Sequence, residues 1–275
     1  MRYIRILVII LFIASLGIYG AARIKEQATE DPTRPVITSD REELEVSTSY
    51  EESDLLEGLT AEDEKDGDLT DQIMAGNFSQ FIEPGVCNLT YVVFDSANQP
   101  ASLTRQVRFT DYHSPRFTLT ESLVFTEGEG SYNELMARLG AQDQLDGDLT
   151  DWITQTDTDV NYQRAGSYTT TLEMSNSLGD TVTQDLPIHV VAAEGHSLEI
   201  ILNTGIVYID QGGGIDAGSY IEELLDNQGN SMDTSLISSE SNVAPQTPGC
   251  YEIHYQAEDG QGNSGETWLT VIVEE

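Results

Sequence analysis

The sequence predicts an all-β protein of three tandem antiparallel β-sandwiches, preceded by one N-terminal transmembrane or signal helix. Three observations support this prediction: short segments alternate between apolar and polar residues, an acidic motif occurs twice, and a glycine-led segment occurs three times. Many short alternating strands with almost no amphipathic helix are typical of small sandwiches.

The acidic motif marks a duplicated module. The pentapeptide Asp-Gly-Asp-Leu-Thr occurs at residues 66–70 and returns unchanged at residues 146–150. An aspartate precedes each copy by three residues, and an isoleucine, Ile73 or Ile153, follows each copy. A match of this length indicates repeated structural units.

The glycine-led segment predicts a β-hairpin in each repeat. It runs over residues 85–95, 166–176 and 249–259, and each copy ends in Asp or Asn. A second alternating segment follows at residues 103–109, 184–190 and 267–273. Alternation on both sides of turn residues indicates two antiparallel strands joined by a turn.

These repeats divide the chain into five segments. We expect a transmembrane or signal helix at residues 1–22, a stalk at 23–33, a first sandwich at 34–112, a second at 113–192 and a divergent third at 193–275. In the third repeat the acidic motif has decayed. Residues 226–237 contain no Asp-Gly-Asp, although the terminal Leu-Ile pair is retained.

The order of these segments resembles bacterial immunoglobulin-like repeats of the DUF5011 type, the Ig-like domain of pesticidal crystal proteins. The pattern D-x-x-D-G-D-L-T-D-x-I is followed by P-G-x-Y-x-x-x-Y-x-x-x-D and a strand. It covers residues 35–109 and 115–190, but only the C-terminal half of the third repeat. Cys87 stands where the family has tyrosine. The resemblance implies Ig-like sandwiches in an exported bacterial protein and leaves the function open, because such domains occur in many unrelated proteins.

The charge balance excludes two classes of partner. The chain has 12 Lys and Arg against 48 Asp and Glu, a formal net charge of −36, and no basic residue follows Arg164. Such a surface repels nucleic-acid phosphates and anionic lipid headgroups. The hydrophobic fraction of 39% nevertheless predicts folded cores.

The N-terminus predicts export. Residues 6–22 form an apolar run after Arg2 and Arg5, which favours an N-terminus kept inside and the rest of the chain outside. We expect a single-pass cell-membrane protein with a C-terminal ectodomain. The alternative is secretion after cleavage of a signal peptide at the small residues 20–22.

Calcium is the one cofactor that the sequence suggests, because carboxylate oxygens at high density are its preferred ligands. The spacing lacks the bidentate glutamate of an EF-hand. In the alternative interpretation Asp66 and Asp68 cap their own backbone in an Asx-type turn around Gly67, while Leu69 and Ile73 fill the core. The candidate ligands are Asp63, Asp66, Asp68, Asp71, Asp143, Asp146, Asp148 and Asp151.

The two cysteines and Trp152 also allow predictions. The alternation predicts that Cys87 is buried and Cys250 exposed, and an intramolecular disulfide between non-adjacent domains is not expected. Trp152 is interpreted either as an interdomain contact or as a sugar-stacking surface.

No sequence motif of a nucleophilic or metal-dependent hydrolase is present, and the four histidines are scattered. We therefore predict a non-catalytic, extracytoplasmic cell-surface protein, a tandem Ig-like rod that acts as a spacer or binding module. One alternative is an adhesin that recognises a protein or glycan through residues 193–275. The other is a set of accessory domains of a hydrolase.

Overall fold

The computed structural model describes residues 2–29, 32–194 and 196–275. Helix α1 spans Arg2–Thr29 and thus includes residues 23–29, which the sequence assigns to the stalk; residues 30 and 31 of that stalk lie outside the described residues. Within the described part of the chain, no helix combines the length and apolarity needed to cross a membrane. The transmembrane prediction is therefore not supported.

The rest of the chain is mainly β-structure. The chain as a whole divides into two compact units, residues 1–110 and 111–275. The prediction of an all-β fold is confirmed. The division after residue 110 lies close to the predicted boundary at 112, and the three-domain division remains a prediction.

The first unit contains seven strands in two sheets, with the orders β1-β3-β4 and β2-β7-β6-β5. Strand β2 runs parallel to β7, and β6 and β7 form the predicted hairpin. A short helix, α2 (Glu52–Leu55), precedes β3. The strands are β1 (Val36–Ser39), β2 (Glu43–Val46), β3 (Leu59–Asp63), β4 (Gly67–Asp68), β5 (Met74–Phe78), β6 (Val86–Phe94) and β7 (Pro100–Phe109).

The second unit contains two further pairs of sheets of this kind, although the first sheet of the second pair has two strands where the others have three. Its sheets have the orders β11-β10-β8 and β12-β13-β14-β9, then β15-β17 and β16-β20-β19-β18. Helix α3 (Tyr132–Arg138) precedes β10. The strands are β8 (Arg116–Leu119), β9 (Val124–Thr126), β10 (Leu139–Asp143), β11 (Gly147–Asp148), β12 (Thr154–Thr158), β13 (Gly166–Ser175), β14 (Thr181–Val191), β15 (Glu199–Leu202), β16 (Ile206–Asp210), β17 (Ile221–Leu225), β18 (Ile237–Ser241), β19 (Gly249–Glu258) and β20 (Ser264–Glu274).

The core of each repeat is built by alternation along the central hairpin. In β6 every second residue, including Leu89, Tyr91 and Val93, is fully buried, while the intervening residues are less buried. This period of two places one face of each strand between the sheets. Burial of these apolar faces supplies the main favourable term in folding.

A buried arginine also forms hydrogen bonds within the core of the first repeat. Arg105 on β7 is 4% exposed and donates to the carbonyl oxygens of Leu55 at 2.6 Å and Glu57 at 2.7 Å. Its Nε donates to the Tyr91 hydroxyl at 3.0 Å. A buried cation is tolerated only when its donors are satisfied, and these bonds tie the loop after α2 to the hairpin.

Candidate functional site

The repeated acidic motif forms a tight turn between two antiparallel strands, β3 and β4 in the first repeat and β10 and β11 in the second. Gly67 and Gly147 adopt φ values of +77° and +75° at the tip of each turn. Only glycine adopts this conformation without steric cost, which explains the Asp-Gly-Asp sequence.

The first aspartate of each motif caps the turn. Asp63 is 6% exposed, and its Oδ1 accepts hydrogen bonds from the backbone N–H groups of Lys65 at 2.8 Å and Asp66 at 3.0 Å. In the second repeat Asp143, also 6% exposed, accepts from Leu145 and Asp146 in the same way. These are Asx-type turns, but Asp63 and Asp143 make them, whereas the sequence interpretation assigns that role to Asp66.

The other aspartates have separate roles. Asp68 accepts from the Thr70 backbone N–H at 2.9 Å, and Asp148 accepts equivalently from Thr150. Hydrogen bonds from the Thr70 hydroxyl and backbone hold the pKa of Asp68 below its usual value, and those from Thr150 do the same for Asp148.

Asp66 connects the motif to the hairpin, because its Oδ2 accepts from the Ser96 backbone N–H at 2.8 Å. Asp146 does the same with Ser177 in the second repeat. Asp71 and Asp151 are exposed on the short 3₁₀ helices that follow. The eight predicted ligands are therefore distributed over different positions around each turn.

The described residues contain no group of three or more His, Cys, Asp or Glu side chains placed to hold a metal ion. Calcium binding by the full set of eight aspartates stays a prediction. The apolar part of the motif fills the core as expected: Leu69, Ile73, Leu149 and Ile153 are each between 4% and 8% exposed.

The third repeat keeps part of this design with other residues. Asp226 accepts from the backbone N–H groups of Gln228 and Asn230, two and four residues further on, whereas Asp63 accepts from residues two and three further on. The backbone N–H of Met232 donates to Leu224, which is the bond that Leu69 makes to Ala61. Leu236, which the sequence suggests as the retained leucine of the motif, is 40% exposed. Met232 packs against the apolar core of the third repeat and is therefore the structural counterpart of Leu69.

A second feature of the second unit is the packed junction between its two repeats. Trp268 on β20 is stacked between the imidazole rings of His189 and His254, at centroid distances of 3.9 and 4.1 Å. His189 lies on β14 of the second repeat, and its Nε2 is 2.6 Å from Glu252 Oε1 of the third repeat. The stack therefore joins the two repeats.

Ionic and apolar contacts extend this junction. Arg116 pairs with Glu274, with its Nε 3.0 Å from Glu274 Oε1, and its guanidinium lies 5.0 Å from the centroid of the Tyr208 ring. Ile206 and Ile272 of the third repeat belong to the buried apolar cluster of the second. At Gly205 a Cβ atom would lie 2.5 Å from the Glu121 carbonyl oxygen, so this position accommodates only glycine.

The cysteines are both free, as expected. Cys87 is fully buried, and burial raises its pKa to about 11. The prediction that Cys250 is exposed is wrong, because its side chain packs against the apolar cluster of the second repeat. Burial at this junction raises its pKa to about 12.

Trp152 is 70% exposed, and its role as an interdomain contact or a sugar-stacking surface stays a prediction. Within the second unit the tryptophan at the junction of the two repeats is Trp268. Sequence reasoning missed Trp268 because alternation along β20 places it on the face opposite the core of its own repeat. The sequence did contain one signal of a covered surface, namely a large aromatic residue on an outward face.

The second unit also contains a cleft of about 640 Å³ between residues of its two repeats. Arg138 lies on one side, and His196, Glu199 and Asp226 lie on the other. Arg138 donates to the carbonyl oxygens of Ser122 and Val124, at 2.6 and 2.7 Å, so its guanidinium is fixed by the second repeat. Arg138 ends helix α3, Glu199 begins β15, and Asp226 directly follows β17.

The strand order and the built junction define a class, namely tandem β-sandwich repeats, and comparisons with known proteins extend this result. No family model matches the chain. The pesticidal crystal protein Cry22Aa of Bacillus thuringiensis is 28% identical over 223 residues, covering 78% of this chain and 29% of that protein. An uncharacterized 81.3 kDa protein of Acholeplasma phage L2 is 27% identical over 143 residues, covering 51% of this chain and 19% of that protein.

The chain thus spans less than a third of the length of these curated relatives. Similarity to a pesticidal crystal protein agrees with part of the resemblance noted in the sequence, and no family model supports the DUF5011 assignment.

Among solved structures, the M60 catalytic domain with two CBM51 domains of Clostridium perfringens ZmpB has a TM-score of 0.24 and 12% identity, covering 89% of this chain and 31% of that one. The lipoprotein BT2262 of Bacteroides thetaiotaomicron has a TM-score of 0.21 and 14% identity, covering 86% of this chain and 98% of that one. Likenesses at this level carry no argument about function.

Proposed function

We propose that this protein is a non-catalytic, extracytoplasmic cell-surface protein whose β-sandwich repeats act as a spacer or binding module. The observation that carries the proposal is the packed junction in the second unit. A stacked tryptophan, an ion pair and a shared apolar cluster hold two repeats in one fixed arrangement. Such an interface suits repeats that position something else at a set distance.

A matched pair of tryptophan variants tests the spacer role. Trp268→Ala removes the stack at the junction, whereas Trp152→Ala makes the same chemical change at a residue that is 70% exposed. We expect Trp268→Ala to lower the melting temperature of the second unit and to broaden its conformational distribution in small-angle X-ray scattering. Trp152→Ala should leave both measurements unchanged. A Trp268→Ala protein with wild-type scattering would contradict the spacer role.

Binding through residues 193–275 is the second candidate function. The cleft between the repeats of the second unit supports it, because Arg138 and several acidic and polar side chains line one concave surface. The ligand class would be a surface protein or a glycan. Binding of the purified protein to a glycan array or to whole cells, lost in Glu199→Gln but kept in Trp152→Ala, would favour this role.

The non-catalytic and surface assignments have direct tests of their own. Turnover of peptide or glycoside substrates by the purified protein would contradict the first. Cell fractionation tests the second: we expect the β-sandwich part in the cell envelope or the medium, and its recovery from the cytoplasm alone would contradict export.

A further inference from the structure

The first repeat contains two buried carboxylates that its own hydrogen bonds do not satisfy. Asp63 and Asp95 are each 6% exposed, and the Oδ2 atom of each has no hydrogen-bond partner among the described residues. Their Oδ1 atoms are used: that of Asp63 caps the acidic turn, and that of Asp95 accepts from the Gln99 backbone N–H at 2.7 Å. A buried, unpaired carboxylate oxygen is strongly unfavourable.

The second repeat shows where these two oxygens point. Asn176 corresponds to Asp95, because it ends the same strand and its Oδ1 accepts from the backbone N–H four residues later, at 2.9 Å. The Nδ2 of Asn176 is 3.3 Å from Asp143 Oδ2, and Asp143 is the counterpart of Asp63. By this equivalence, the unpartnered Oδ2 atoms of Asp63 and Asp95 occupy the positions at which the second repeat has an amide–carboxylate hydrogen bond.

A second difference lies at the same place. In the second repeat the Tyr112 hydroxyl accepts from Asn176 at 2.9 Å and donates to Asp180 at 2.7 Å. The first repeat has Pro32 at the position of Tyr112, because Pro32 precedes Asp63 by the interval that separates Tyr112 from Asp143. The first repeat thus loses an amide donor and a phenol and gains a second carboxylate.

We propose that Asp63 and Asp95 bind one divalent cation, and the hard oxygen ligands select calcium. A cation between the two Oδ2 atoms would satisfy both and would offset the repulsion of two like charges. The Thr33 hydroxyl, 3.5 Å from Asp63 Oδ1, lies beside the pair. Because no third acidic, histidine or cysteine side chain joins them in the described residues, backbone carbonyls, hydroxyls and water complete the coordination, as calcium allows.

This site differs from the one that the motif suggests. It takes one aspartate from the acidic turn and one from the hairpin turn, and it leaves Asp68 and Asp71 out. Within the described residues the second repeat lacks this site, since Asn176 and Tyr112 fill the equivalent position.

Calcium titration of the full-length protein tests the proposal. Calorimetry should show one bound calcium, and the melting temperature of the first unit should rise by about 5 °C or more at about 10 mM calcium, compared with EDTA. Magnesium should give a smaller shift, because it demands near-octahedral ligands and keeps its water.

Two variants with the same change of charge separate this site from general binding to an acidic surface. Asp95→Asn places in the first repeat the amide that the second repeat already has. It should abolish the calcium shift and raise the melting temperature in EDTA. Asp71→Asn changes an exposed aspartate of the same motif and should keep the wild-type shift.

Either of two results would overturn the proposal: a wild-type protein that calcium does not stabilise, or an Asp95→Asn protein with an undiminished shift.

Discussion

The acidic turns of the first and second repeats share the pentapeptide Asp-Gly-Asp-Leu-Thr and equivalent backbone hydrogen bonds, yet their surroundings differ in charge. In the second repeat the amide of Asn176 donates to the buried Asp143 and to the Tyr112 hydroxyl, and in the first a carboxylate and a proline occupy the positions of Asn176 and Tyr112. The comparison teaches that an identical motif has different chemistry when the residues that complete it come from another part of the chain.

The largest expected effect tests what the two turns share. Leu69 and Leu149 lie under the turns and are 4% and 5% exposed. Leu69→Ala and Leu149→Ala should each destabilise their own unit by about 3 kcal/mol, because each removes a buried side chain and leaves a cavity. Urea unfolding measures both. A large difference between the two values would show that the shared motif is not packed equivalently.

The next largest effect comes from a substitution that makes the second repeat resemble the first. Asn176→Asp in the second repeat removes the donor to Asp143 and brings two buried carboxylates together. The free energy of unfolding should therefore fall by about 2 kcal/mol at neutral pH. Calcium should not restore this loss, because Tyr112 remains beside the pair. Rescue by calcium would show that the carboxylate pair alone makes the site and that Pro32 has no part in it.

The smallest effect is common to both turns and depends on pH. The pKa values of Asp68 and Asp148 are lowered in the folded state by bonds from Thr70 and Thr150. A carboxyl group with a lowered folded-state pKa contributes stability above its unfolded pKa of about 3.9, and that contribution is lost as the pH falls through the folded value. Both aspartates are exposed, so the effect is weakened by solvent screening.

We expect Asp68→Asn and Asp148→Asn to flatten the stability profile below about pH 4 by similar amounts. Unfolding by urea at several acidic pH values measures this. Unequal profiles for the two variants would indicate that the neighbouring Asp63–Asp95 pair influences the first turn.

Much of the fold was predictable because hairpin signals are local. The glycine at the start of each segment, the alternation and the closing Asp or Asn lie within one stretch of chain, and β6, β13 and β19 follow them closely. The duplicated motif also predicted correctly which leucine and isoleucine enter the core. These features need no knowledge of distant contacts.

The sites were less predictable because they join distant positions. Proximity in sequence grouped Asp63 with Asp66, Asp68 and Asp71, whereas the residue that also has a buried, unpartnered Oδ2 atom is Asp95, in the β6–β7 turn. The junction was missed for a related reason. Alternation assigns Trp268 and His189 to outward faces, and only the packing of two repeats reveals that these faces are covered.

The two cysteines have a consequence for the conditions under which this fold persists. Both thiols are unpaired, and their pKa values of about 11 and 12 keep them protonated near neutral pH. Because thiolates, not thiols, react with oxidants and disulfides, these side chains are poor redox targets. The fold therefore contains no disulfide that must form by oxidation, and its stability does not depend on the redox potential of its surroundings.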